Sequence, residues 1–142
     1  MGQIETILRI SNAFDAEKLR HEEIALAVLR TITVANAMVD TGATTLCLPQ
    51  AMIDRLGLEP VRSVRLATAT GYVSSHVYRG VEVECEGRNA IVEALALPGG
   101  DRVLFGAIPM EIMGLEPDLK NRRLRVLPDQ DDDTYLTALS FR

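Results

Sequence analysis

Tryptophan is absent from this chain, and aromatic residues make up only 4% of it. The core must therefore be built from Val, Leu, Ile, Ala and Met, which the 47% apolar content supplies. Histidine and cysteine are nearly as scarce: His21 and His76 stand singly, and Cys47 and Cys85 lie 38 positions apart with no CxxC pair. That spacing excludes a zinc signature and leaves free thiols in a reducing compartment as the expectation. Positive charge is in deficit, with 15 Lys and Arg against 20 Asp and Glu and a net charge of -5. A phosphate-backbone partner draws on a clustered basic excess, so no nucleic-acid partner is expected. The cluster Arg122, Arg123 and Arg125 lacks interleaved aromatics and reads as the solvated face of a hairpin. No apolar stretch approaches the roughly 18 residues that span a bilayer. Met1 to Glu5 also lacks a basic-then-apolar signal pattern, so the expected location is the cytoplasm, away from membrane.

What is present is a succession of short apolar or alternating segments separated by turn residues. Ile4 to Ile10, Thr31 to Val39, Val61 to Ala67, Tyr72 to Val77, Val81 to Cys85, Ala90 to Leu97, Val103 to Phe105 and Leu124 to Leu127 each suit a strand. In Val81 to Cys85 the period of two places Val81, Val83 and Cys85 toward the core and Glu82 and Glu84 toward water. Thr68 to Gly71 predicts a hairpin turn between two of these strands. Asp15 to Leu29 could form an amphipathic helix capped by Asp15, with a loop insertion as the competing reading. Pro49 to Leu56 has an early Pro and a following Gly57, the usual asymmetry of a short helix. A helix-like run also leads to Met113 and Gly114. Many short strands indicate an all-β sandwich or barrel, and 142 residues suit one domain. We assign residues 1–128 to that domain and 129–142 to an acidic tail that either packs on a partner subunit or frays.

The segment Ala37-Met38-Val39-Asp40-Thr41-Gly42-Ala43-Thr44 carries the chemistry. A carboxylate at the end of an apolar strand is costly to desolvate unless protonated, paired or held by hydrogen-bond donors, which Thr41 and Gly42 can provide. Asp and Gly are also common turn residues, and Asp-Thr-Gly arises by chance about once in a few thousand positions. A turn cap is thus the plain alternative on the tripeptide alone. The context adds Leu46-Cys47-Leu48-Pro49 with a helix behind it, and a distant apolar strand Val103-Leu104-Phe105-Gly106.

With these features, the stretch from about Thr31 to Leu127 resembles the retropepsin-like aspartic proteases, in particular the small single-domain bacterial type. The resemblance implies an all-β acid protease barrel with one or two short helices, working as a homodimer. It implies that Asp40 is the catalytic carboxylate, that Thr41 hydrogen-bonds across the dimer and that the Gly42 amide approaches a carboxylate oxygen. Leu104 to Gly106 would cross behind them. Ala43 and Thr44, together with Ala69, Thr70 and Gly71 of a mobile hairpin flap tipped by Gly71, would contact an extended peptide substrate. No metal or organic cofactor is expected.

Only one Asp-Thr-Gly is present and no internal repeat is found, so a second catalytic carboxylate would have to come from a second copy. Thr44 stands where retroviral members usually have an acidic residue, and Ile108 where Asn or Asp is often found. The alternative function is therefore a retropepsin-fold dimer that binds peptides or scaffolds without efficient hydrolysis. Asp-Thr-Gly-Ala-Thr is also similar to the phosphate loop of sugar kinases and actin-like ATPases. Those folds need two large lobes and a second Gly-rich segment, which this chain lacks.

Overall fold

The computed structural model describes residues 3–128 and, beyond them, residues 138 and 140. The expected role of the tail thus lies outside the described residues. β1 (Glu5–Asn12) buries Thr6, Leu8 and Ile10 and leaves Glu5, Ile7 and Arg9 outward, as its alternation predicts. Asn12 then ends the strand and caps α1 (Ala13–Arg20), its side-chain oxygen accepting from the Asp15 amide at 3.0 Å. The cap expected at Asp15 is therefore Asn12. Asp15 instead turns to Arg30, accepting from Nε at 2.8 Å, Nη2 at 3.0 Å and the backbone amide at 3.1 Å.

The helix expected through Leu29 stops at Arg20, and only a 3-10 turn, Leu26–Val28, follows. Short helices depend on a face to bury, and here Leu26 is 66% and Val28 59% exposed. β2 (Thr31–Val39) and α2 (Gln50–Leu56) fall where the sequence places them, with Gly57 in the left-handed conformation at φ +63 closing α2, and between them Leu46-Cys47-Leu48-Pro49 forms a further strand, β3 (Leu46–Pro49). The Arg30 guanidinium packs so close to Gly57 that a side chain there would overlap it.

β4 (Glu59–Thr68) and β5 (Gly71–Cys85) form the expected hairpin around the two-residue turn Ala69-Thr70. The two segments expected at Tyr72 to Val77 and Val81 to Cys85 are one 15-residue strand. Its register against the next strand shifts between Tyr78 and Val81, where Gly80 has φ +82. β6 (Arg88–Leu97), β7 (Leu104–Phe105) and α3 (Ala107–Met113) follow. β8 (Leu115–Asp118) and β9 (Arg123–Val126) then make a separate two-stranded sheet. β8 was not legible because Pro117 interrupts it, which a small edge pair tolerates. Arg125 of this hairpin reaches Glu116 at 2.8 Å, in keeping with a basic hairpin face.

The main sheet runs β1-β2-β7-β3-β6-β5-β4, and β1 also pairs with β5. That extra pairing closes six strands into a barrel and leaves the β4–β5 hairpin projecting from it. Three short α-helices decorate the barrel among the described residues, against the one or two expected. Leu8, Ile10, Leu46, Val81, Val83 and Phe105 are fully buried at its centre. The all-β expectation holds, and the fold brings β2 and β7 side by side, in parallel, with Val39 opposite Phe105.

Candidate active site

Asp40 sits one residue past the end of β2, where the parallel neighbour β7 also ends. The Asp40 amide donates to the Phe105 carbonyl at 3.1 Å, which anchors the residue to the barrel through its backbone. A tight turn follows, the Ala43 amide donating to the Asp40 carbonyl at 3.1 Å. Within it the Gly42 amide donates to Asp40 Oδ1 at 2.9 Å. Among the described residues no donor occupies Oδ2. One oxygen is thus oriented by the main chain while the other stays available for proton transfer.

The loop after Asp40 is pinned from behind by Gly106. An added Cβ there would lie 2.2 Å from the Thr45 carbonyl oxygen and 2.6 Å from that of Ala43. This close approach, and not an unusual φ, is what demands glycine, because Gly106 has φ -89. It lets the Ala107 amide donate to the Ala43 carbonyl at 2.8 Å and the Ile108 amide to the Thr44 carbonyl at 2.9 Å. The first turn of α3 therefore fastens the acidic loop to the apolar strand behind it.

In front of Asp40 lies a groove of about 950 Å³. Its walls come from the acidic loop, from Val64 and Leu66 of β4, from Leu95 and Leu97 of β6, and from α3. This is the size and the mostly apolar character of a ligand site. Glu93 is a second carboxylate in the groove, but Arg62 holds it with two bonds, at 3.1 and 3.2 Å. Asp40 is accordingly the uncommitted acid. Cys47 also lines the groove, and its thiol is pushed up to about 11, first by burial and then by the charge of Asp40. Such a thiol is protonated near neutrality and is no nucleophile.

The residues singled out in the sequence divide into two groups. Asp40, Gly42, Ala43, Thr44 and Ala69 all face the groove. Thr41, Thr70 and Gly71 do not line it. Thr41 is exposed beside the groove, and its hydroxyl has no partner among the described residues. The hairpin tip is Ala69-Thr70, with Gly71 paired to Thr68 as the closing position, so Gly71 is not the tip that was expected. Sequence reasoning missed the β6 face carrying Ile91, Glu93, Leu95 and Leu97, because an alternating strand does not reveal what its outward side meets. The exposed side of α3, with Ile108 and Ile112, was missed as well.

Residues 15–109 match a family model described as Aspartyl protease. No curated protein matches the chain. Among solved structures, EIAV protease complexed with the inhibitor HBY-793 is similar at a TM-score of 0.54 and 18% identity, covering 83% of this chain and 94% of that one. The simian foamy virus (mac) protease has a TM-score of 0.45 and 21% identity, with 77% and 91% covered.

Proposed function

The chain belongs to the aspartyl protease family and has a retropepsin-like fold, and on that premise we propose that it is a homodimeric aspartic endopeptidase. Two Asp40 side chains, one from each copy, would activate a water against the carbonyl of an extended peptide. The observation that carries this reading is the Asp40 carboxylate, aimed by the Gly42 amide at 2.9 Å and, among the described residues that line the groove, the one carboxylate without a cationic partner. One carboxylate cannot act as base and acid at once, so the chemistry calls for another from outside the chain. Thr41, exposed next to Asp40 with its hydroxyl unengaged in one chain, suits a contact across a twofold axis.

Electrostatics favour one shared proton between the two acids. Unit charges about 3 Å apart at an effective dielectric near 20 repel by roughly 5–6 kcal/mol, which disfavours the doubly ionised pair. In the singly protonated dyad the ionised Asp40 takes a proton from the attacking water, and the protonated one donates to the leaving amide nitrogen. Activity is then expected on the acidic side of neutral. The Ala69-Thr70 hairpin would cover the bound peptide and exclude water. Cytoplasmic residence is part of the proposal, and the two buried free thiols suit a reducing compartment.

The test is a peptide-library digest from acidic to neutral pH with wild type and Asp40→Asn, alongside sedimentation at the assay concentration. Cleavage by wild type alone, from a dimer, is the expected result. Equal cleavage by both proteins, or full activity from a monomer, would sink the mechanism. Peptide binding without cleavage by either would favour the binding module.

A further inference from the structure

The groove does not end at the catalytic loop. Ile108 and Ile112 lie one turn apart on the outer side of α3, and Ile91 stands near the start of β6 on the same face as Glu93, Leu95 and Leu97. These three isoleucines are 44%, 47% and 62% exposed respectively, and all three line the groove that contains Asp40. A lone exposed isoleucine is ordinary, but three converging from two elements on one groove form an apolar patch.

Two polar groups beside the patch are already engaged. Glu93 is neutralised by Arg62 through two hydrogen bonds, and the Thr45 hydroxyl donates to the Glu93 carbonyl at 2.9 Å. The carboxylate that lines the groove there, Glu93, is thus already paired, and the three isoleucines offer a ligand apolar contact.

We propose that Ile91, Ile108 and Ile112 form a distal subsite that binds an apolar side chain of the peptide substrate, away from the scissile bond. The inference rests on the peptide-hydrolase reading and adds the sequence preference that this groove imposes. Ile108 is tied by its amide to Thr44, four residues after Asp40, so the subsite begins just beyond the catalytic loop. Ile112 is about 6 Å farther along α3. An extended peptide advances about 3.3 Å per residue, which puts the recognised side chain roughly two to four residues from the bond that is cut.

The test measures binding and cleavage separately. Fluorescent peptides that bind the Asp40→Asn protein are remade with Leu replaced by Ser at each position, and their Kd is read by anisotropy. One position away from the centre should weaken binding about tenfold when changed to Ser. Ile112→Ser and Ile91→Ser should each shrink that difference several-fold, while Leu26→Ser, exposed but outside the groove, should preserve it. In the wild-type enzyme the same substitution should raise KM, with kcat and the pH profile little changed. Absence of cleavage would count against the hydrolase reading, yet the binding series would still decide on the subsite. Discrimination unchanged in both isoleucine variants would overturn the proposal. So would a shift from dimer to monomer in Ile112→Ser, which would make the patch an interface between copies.

Discussion

Gly106→Ala is the sharpest single perturbation of this site, because it adds one methyl group where only backbone surrounds it. The new Cβ would be 2.2 Å from the Thr45 carbonyl oxygen, 2.6 Å from that of Ala43 and 2.9 Å from the Thr45 carbonyl carbon. Carbon and oxygen need about 3.2 Å, so α3 and the loop must part by roughly 1 Å, and no flexible side chain can absorb the movement. That separation acts on the two amide bonds from Ala107 and Ile108, now 2.8 and 2.9 Å. Overpacking costs about 1–3 kcal/mol, and two weakened hydrogen bonds about 0.5–1.5 kcal/mol each. The expected loss is roughly 2–6 kcal/mol, read as a lower urea midpoint with unchanged m-value. A 1 Å displacement of the Asp40 loop should also lower kcat/KM about a hundredfold. Gly42→Ala is the informative contrast, since its Cβ would meet only Asp40 Oδ1, at 3.1 Å. It should disturb the carboxylate while costing under about 1 kcal/mol of stability. Gly106→Ala with stability within about 0.5 kcal/mol of wild type and full activity would refute the reasoning.

Asp15 and the Cys47 thiol supply two further predictions. Hydrogen bonds from the Arg30 side chain hold the Asp15 carboxyl below its ordinary value. A depressed folded value means this stabilisation is present above the unfolded value near 4 and is lost as pH falls through the folded one. Asp15→Asn should therefore cost about 1 kcal/mol at pH 7, discounted because Arg30 is half exposed, and should flatten the acid side of a urea-midpoint profile. Identical acid profiles for variant and wild type would count against the pair. For Cys47, burial and a raised thiol predict no reaction with a disulfide reagent at pH 7 in the native protein, and full reaction in denaturant. Rapid native labelling of Cys47 would mean that the groove wall opens.

Much of the fold was legible because its signals are local. The period of two in β1 and in Val81 to Cys85, and the Pro49 and Gly57 that bracket α2, each depend on near neighbours. The failures share a cause as well. Asp15 has the residue type of a helix cap, yet Arg30, fifteen positions away, engages its carboxylate, and Asn12 does the capping. The 21–29 segment has apolar residues but no tertiary surface to receive them, so the longer helix does not form. Gly71 is the residue type expected at a flap tip, yet the hairpin register makes it the residue that closes the Ala69-Thr70 turn.

By itself the sequence singled out Asp40 as the candidate acid. An apolar strand running into Asp-Thr-Gly-Ala places a carboxylate at a turn whose glycine amide can reach it, and that geometry is contained within four residues. Only the tertiary structure decided what surrounds it. The match of Gly106 to the Ala43 and Thr45 carbonyls, the pairing of Glu93 with Arg62 that leaves Asp40 as the free acid, and the isoleucines gathered along one groove all join residues far apart in the chain. Such contacts follow from the closure of β1 on β5 and the order of the sheet. A local pattern can say which face of a strand is buried, whereas the partner of its other face is set by how the strands are arranged.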